Sequence, residues 1–356
     1  MLRKFLQILY YAAFTPLFCL CRLFSVQSGK VVLLRNFPES EGLRALEEEL
    51  DARGGYRVYW FFELGFLHRA YHLATAGAVF LNINFSPLAW LPFAKATRIV
   101  QIWHGEGAWK KWGHSMPAPP PRRFAREMRR TTAAACPSEG VRPYWCEGFG
   151  LPPEKVLPLG SPRIDALLRP YDKAALREQF DREHPQCRGK KLFLYAPTFR
   201  DEPGRGPLEH FDFPAFRARF GDEAALLVRL HPLMHGTYDL RGTGAIDLTG
   251  APGPLDILRV CDRFVSDYSS LCFAAAALDL PIVLYAYDLE EYARRDRGFY
   301  MPPQALPPGP IARDFPALLD ALAAPDTSRE QRRAFAAFHL GAMDGKAAQR
   351  IVDAFC

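Results

Sequence analysis

A chain of 356 residues, 49% hydrophobic and 24% charged, is too apolar for a disordered protein and long enough for two domains that each bury a core. Its net charge of +6, from 45 basic and 39 acidic residues, is too small to mark a nucleic-acid binder, and no DNA or RNA motif accompanies it; an anionic membrane or a phosphorylated acceptor suits the same charge. The eight cysteines are scattered and form no Cys-x-x-Cys pair, which argues for a reducing compartment and against a zinc site.

Residues 1–26 carry a largely apolar stretch, 5–24, with Arg3, Lys4 and Arg22 at its ends and Pro16 inside. No small-residue cleavage pattern follows, and the first strand candidate, 30–34, begins a few residues later, so a signal peptide is disfavoured. A stretch of this length is able to span a bilayer. The preferred expectation is a monotopic helix in the inner leaflet, with Tyr10, Tyr11 and the basic residues at the interface.

From residue 31 onward short apolar runs alternate with helical ones: strands at 31–34, 58–62, 78–82 and 96–102, helices at 39–53 and 65–76. That alternation predicts a parallel sheet with helices on both faces. A stiff proline-rich loop at 117–121 precedes a helix crowded with Arg122, Arg123, Arg126, Arg129 and Arg130, which reads either as a solvated face or as a landing face for anionic lipid or phosphate. After a Pro- and Arg-rich junction at 159–171, a second alternating region predicts strands at 191–196, 225–230, 244–248, 263–266 and 282–286, and helices at 271–280, 316–322, 328–338 and 345–355.

Several apolar runs end abruptly in polar, reactive-looking loops. Ser266-Asp267-Tyr268-Ser269-Ser270 sits between a strand and a helix, where hydroxyls and the unpaired N–H groups of a first helical turn suit a pyrophosphate. Asp and Ser also cap ordinary helices, so the turn alone does not decide. Gln101-Ile102-Trp103-His104-Gly105-Glu106-Gly107-Ala108-Trp109-Lys110-Lys111 follows a strand, as do Ala196-Pro197-Thr198-Phe199-Arg200-Asp201 and Arg229-Leu230-His231-Pro232. Ligands of open α/β sheets bind beyond the carboxyl ends of strands.

These blocks, in this order and together with Pro281-Ile282-Val283-Leu284-Tyr285-Ala286-Tyr287-Asp288, Gly298-Phe299-Tyr300 and Asp344-Gly345-Lys346, closely resemble the CDP-glycerol glycerophosphotransferase family, which includes teichoic acid primases and polymerases. The resemblance implies an α/β fold of two Rossmann-like lobes in GT-B architecture with a central cleft. It divides the chain into a membrane-associating helix (1–26), an acceptor lobe (27–165), a CDP-donor lobe (166–325) and C-terminal helices packing across the lobes (326–356). It also implies a CDP-glycerol or CDP-ribitol donor, a lipid-linked or polymer acceptor, CMP as leaving group, and work at the cytoplasmic face of the membrane. In one respect the chain departs from the pattern: Glu106-Gly107-Ala108 follows Gly105 where family polymerases carry Thr-Pro, which leaves the polyol and the acceptor open.

Transfer of a polyol phosphate needs one proton removed and a phosphoryl transition state positioned and neutralised. His104 is the expected general base, because an imidazole titrates near neutral pH; a structural histidine is the plain alternative. Glu106 ranks second, orienting that imidazole or acting as base if burial raises its pKa. Trp103 reads as core. His231 is expected to stabilise donor phosphates, with Arg229 adding charge beside it or facing solvent. Arg200 offers a guanidinium fork to two phosphate oxygens, or an ion pair to Asp201 or Glu202. Ser269 and Ser270 would hold the pyrophosphate while Asp267 orients the turn, and Lys110 and Lys111 would meet the acceptor's phosphate or lie on the surface. No ligand spacing marks a metal site; Mg²⁺ is compatible but not required, and no other cofactor is implied. Two other functions fit the architecture: a sugar-nucleotide glycosyltransferase, and a catalytically idle membrane scaffold.

Overall fold

The structure, a computed structural model, describes residues 2–35, 40–118, 120–200, 206–221, 223–231, 234, 238–251 and 253–356, apart from the side chains of 2–8 and 254. The expected helix start at Glu39, the proposed Arg200 partners Asp201 and Glu202, Pro119, Pro232 and the side chains of Arg3 and Lys4 lie outside the described residues. The chain divides into two compact units, one of residues 1–106, 112–166 and 340–356, the other of residues 107–111 and 167–339.

In the first unit six strands form one parallel sheet: β1 (Gln27–Leu34), β2 (Arg57–Trp60), β3 (Ala76–Leu81), β4 (Arg98–Gln101), β5 (Ala133–Cys136) and β6 (Val156–Pro158). They lie in the order β2-β1-β3-β4-β5-β6. The side chains of β1 explain why both faces are covered. Val31 and Leu33 point to one side, where helices Glu41–Arg53 and Ala347–Phe355 supply Leu43, Leu46, Leu50, Ile351 and Phe355. Val32 and Leu34 point to the other, against helices Leu2–Cys21 and Phe66–Ala74. An unbroken apolar run with period-two partition is what a strand buried on both faces requires.

The N-terminal helix is therefore part of this core: Phe14 and Phe18 are fully buried beside Ala70, Leu73 and Phe61. No helix of the described residues is long and apolar enough to cross a membrane. On the open side of the helix and just beyond it Leu9, Leu20, Leu23 and Phe24 are exposed.

The second unit repeats the design with β7 (Lys191–Tyr195), β8 (Ala224–Val228), β9 (Ile246–Asp247), β10 (Arg263–Ser266), β11 (Ile282–Tyr285) and β12 (Ile311–Ala312), all parallel. Their order is β12-β11-β10-β7-β8-β9. The chain runs outward from β7 to β9, then returns to the other side of β7 as β10, so the winding reverses between β7 and β10. In open parallel sheets that reversal leaves a crevice at the strands' carboxyl ends.

Most expected elements are present with shifted ends. Residue 76, expected in a helix, belongs to β3; the helix expected over 271–280 is Leu271–Ala277, stopped before Asp279, whose φ is +52°. The expected strand over 244–248 pairs only at Ile246–Asp247. Of the C-terminal helices, Arg329–Leu340 lies in the second unit up to His339, and Ala347–Phe355 lies in the first.

Candidate active site

In the first unit His104 stands just beyond the carboxyl end of β4, as the sequence predicts. Its Nδ1 lies 2.8 Å from the backbone carbonyl of Asn82, the residue that follows β3. A carbonyl only accepts, so Nδ1 carries the proton and the lone pair of the neutral ring is on Nε2. The loop reaches this position through a strained residue: Trp103 has φ +55°, with its N–H held by Gln101 Oε1 at 2.9 Å and its ring edge-on to Phe149. Trp103 is half-buried rather than a full core residue.

Glu106 does not orient His104. Its carboxylate, 4% exposed, accepts from Arg163 Nη1 at 2.9 Å and from Ser161 Oγ at 3.2 Å. The expectation that it serves the imidazole gives way to a tether, because a buried carboxylate takes the nearest guanidinium and the carbonyl of Asn82 already fills the orienting role.

In the second unit the loops after β7 and β10 are knotted together where the winding reverses. Asp267 Oδ1 accepts the N–H of Thr198 at 2.8 Å, and Ser266 Oγ donates to the carbonyl of Ala196 at 2.6 Å. Arg200, whose side chain is fully shielded, bonds Asp267 Oδ2 at 2.8 Å, both oxygens of Asp288 at 2.8 and 2.9 Å, and the carbonyl of Thr198 at 2.8 Å. The ring of Tyr292 lies 4.6 Å from the guanidinium, and Tyr268 Oη donates to Asp288 at 3.1 Å. Burial opposes the charge on Arg200, and Asp267 and Asp288 more than restore it. The fork expected to grip phosphate is thus committed inside the protein, a correction with a plain cause: two buried carboxylates on neighbouring loops demand a bidentate counter-ion. Asp267 orients the turn as expected. Ser269 Oγ accepts the N–H of Leu271 at 3.3 Å, and Ser270 begins the short helix without a side-chain cap.

Lys110 and Lys111, expected to meet the acceptor's phosphate or to lie on the surface, belong to the second unit. Lys110 pairs antiparallel with Phe299, Lys111 N–H bonds the carbonyl of Gly298 at 3.2 Å, and Trp109, 2% exposed, packs against the stacked rings of Phe273 and Phe335. Burial lowers the Lys110 pKa to about 8, against the attraction of Asp267. His231 lies three residues beyond the end of β8; partial desolvation, then the cations of Lys110 and Arg297, hold its imidazole below the usual range. Arg229 Nη1 donates to the carbonyls of Leu248 and Ala251 at 3.0 and 2.7 Å, so one arm of it braces the neighbouring loop.

Sequence reasoning missed Asn82, Asp288 as a partner of Arg200, and Arg297. Arg297 immediately precedes the Gly298-Phe299-Tyr300 block, and that adjacency was the available signal. Among the described residues no three His, Cys, Asp or Glu side chains gather as a metal ion would require.

Two helix-flanked parallel sheets, each with polar loops at the strands' carboxyl ends, define a two-unit α/β protein of doubly wound topology. The chain belongs to the CDP-glycerol:poly(glycerophosphate) glycerophosphotransferase family, whose model matches residues 61–356. It is 29% identical to a teichoic acid ribitol-phosphate primase of Bacillus spizizenii over 362 residues, 94% of this chain and 92% of that one. It is 31% identical over 293 residues to the teichoic acid poly(ribitol-phosphate) polymerase of the same organism, covering 80% of this chain but only 47% of the relative, so the chain spans about half the length of that polymerase. The solved structure of the wall teichoic acid polymerase TagF superimposes with a TM-score of 0.81 at 24% identity, over 99% of this chain and 95% of that one, which shows a shared fold.

Proposed function

We propose that the chain transfers a polyol phosphate from a CDP-linked polyol to a hydroxyl of a lipid-linked or polymeric acceptor and releases CMP. The observation that carries this reading is the Nδ1 contact of His104 with Asn82, because it sets the tautomer whose lone pair is on Nε2, on a loop beyond β4. The acceptor oxygen attacks the β-phosphorus of the donor while its proton passes to His104 Nε2. The bond from that phosphorus to the bridging oxygen breaks, and CMP departs with the electron pair. CMP is a good leaving group, so charge neutralisation suffices, and His231, Lys110 and Arg297 are the groups assigned to it. The Arg200–Asp267–Asp288 knot acts as scaffold, fixing the turn whose Ser269 and Ser270 are assigned to the pyrophosphate.

The family description favours glycerol phosphate, and the two relatives carry ribitol phosphate in their names. Both polyols are therefore tested. The exposed Leu9, Leu20, Leu23 and Phe24 suit a peripheral position on the cytoplasmic face of the membrane, where the acceptor is anchored.

The test is CMP release from CDP-glycerol and CDP-ribitol, with UDP-sugar and GDP-sugar controls and a lipid-linked acceptor. Acceptor-dependent CMP from one polyol donor is the expected result. Nucleoside diphosphate from a sugar donor would establish a glycosyltransferase instead, and no nucleotide binding would leave the scaffold reading.

A further inference from the structure

The nine-residue helix Arg122–Arg130 carries five arginines that the chemistry above does not use. At about 100° per residue, positions 122, 123, 126, 129 and 130 fall within an arc of about 120° and along about 12 Å of axis. All five residues are exposed. Among the described residues none of their side chains forms an ion pair or hydrogen bond, and the one acid on the helix, Glu127, is turned inward to accept the N–H of Phe85. Phe124 and Met128 fill the buried side.

Arg129 and Arg130 suit the last turn, where the helix dipole favours cations, but the other end of the row costs the fold. Arg122 and Arg123 occupy the first turn, where the helix dipole disfavours cations, with no acid there and no side-chain cap on the helix. Five like charges on one arc also repel one another. A local rule broken without a structural gain points to a partner. The helix links β4 to β5 in a parallel sheet and so runs antiparallel to the strands. Its Arg122 end therefore lies towards the carboxyl ends of the strands, where His104 stands, and its Arg130 end towards the amino ends.

We infer that this arginine row is a track for a polyanionic phosphodiester chain, the repeating polyol phosphate of the acceptor or product, leading to or from the His104 end of the first unit. The inference rests on the function proposed above. All five positions are arginine and none is lysine, which suits bidentate contact with phosphodiester oxygens. Arg122, Arg126 and Arg129 follow one another at about one helical turn, ~4.5–6 Å of axis, on the scale of the phosphate repeat in a short polyol chain. A membrane is the less fitting partner, because interfacial helices insert apolar side chains and, among the described residues, the exposed large apolar ones lie outside the helix.

The experiment compares the full chain with a variant carrying Arg122→Gln, Arg126→Gln and Arg129→Gln, and with the matching Arg→Lys variant. Lipid-free poly(glycerol phosphate) and poly(ribitol phosphate) oligomers, monomeric glycerol phosphate and anionic phospholipid vesicles are titrated at low and high salt, with melting curves as a folding control. The glutamine variant should bind an oligomer at least tenfold more weakly and lose most of the salt dependence, while melting no lower than the parent and binding vesicles as before. The lysine variant should keep the salt dependence and lose part of the affinity. Equal oligomer binding by parent and glutamine variant, no oligomer binding by the parent, or a loss confined to vesicles overturns the inference. CMP release with a short soluble acceptor is measured in parallel: absence of CMP from the parent sinks the proposed function, whereas the oligomer titration decides the track on its own.

Discussion

Arg200 and Asp267 meet at 2.8 Å with neither side chain more than 1% exposed, and Asp288 closes the same guanidinium from the other side. The three residues come from loops after β7, β10 and β11, so one buried cation holds three strand ends in register. Arg200→Leu leaves two carboxylates buried without a counter-ion, and removing one partner of such a group costs about 3–5 kcal/mol. The expected outcome is a large fall in the urea midpoint with an unchanged m value, and weaker nucleotide binding. An unfolding midpoint equal to the parent's would show that the knot does not hold the turn.

His104→Ala should keep donor affinity and lose turnover. A positioned general base is worth about 10²–10⁴ in rate, so CMP release at saturating donor should drop by at least a hundredfold while a CDP-polyol titration is unchanged. Glu106→Gln is the informative companion. Because Glu106 is tied to Arg163 and Ser161, its loss should lower thermal stability more than it changes the pH profile of turnover. A turnover profile that loses its acidic limb in Glu106→Gln would return the base assignment to that carboxylate.

The sheets were legible where side chains are large. Residues 31–34, 78–82 and 282–286 announce themselves as continuous apolar runs bounded by polar loops. Strands β5 and β6 were not, since Ala133-Ala134-Ala135-Cys136 has no branched or aromatic residue, and Val156–Pro158 is only three residues long. His104 and Asp267 were found because each ends an apolar run. What a sequence does not display is which polar group takes which partner. Arg200 lies 67 and 88 residues from its two carboxylates, and Glu106 lies 57 from Arg163. Those pairings are set by the winding order of the sheets and by desolvation, so the expected roles of Arg200 and Glu106 changed while those of Asp267 and His104 keep their geometric basis.

His231 provides a pH test. Partial desolvation and the cations of Lys110 and Arg297 lower its pKa from 6.5 in the free protein. A bound pyrophosphate brings opposite charge and raises it. Between the two pKa values the free histidine is neutral and the bound one protonated, so donor binding takes up a proton and tightens as pH falls through that window. Calorimetry of donor binding near pH 6.5 in buffers of different ionisation enthalpy should show uptake in the parent and a smaller uptake in His231→Gln. Identical proton counts would remove His231 from the phosphate site.

His339 should make the second unit acid-sensitive. It is fully buried among Trp109, Phe273 and Phe335, and burial lowers its pKa from 6.5 to about 3. Between those values the unfolded chain binds a proton that the folded chain refuses. The contribution is therefore complete above about pH 6.5 and is lost as pH falls towards 3, by up to ~1.4 kcal/mol per pH unit. His339→Leu, which packs without titrating, should flatten the stability curve between pH 6.5 and 4, measured by urea unfolding at each pH. A variant as acid-labile as the parent would place the sensitivity elsewhere.

Gly107 is where the chain passes from the first unit into the second, and its backbone leaves no room for a side chain. Its φ is +73°, and an added Cβ would run into Cε1 of Phe273, the ring against which Trp109 packs. Gly107→Ala therefore combines left-handed strain, about 1–2 kcal/mol, with displacement of a buried ring. Gly345 separates the two effects, since its φ is +72° and nothing lies within 4 Å of its added Cβ. Gly345→Ala should show the strain alone, and Gly107→Ala should exceed it in lost stability. The larger loss should be accompanied by at least a tenfold fall in CMP release, because Lys110 is carried on the same five-residue segment, 107–111, that Trp109 anchors. If Gly107→Ala and Gly345→Ala lose equal stability and both keep full turnover, the segment tolerates the ring's movement and Lys110 does not depend on the seat of Trp109.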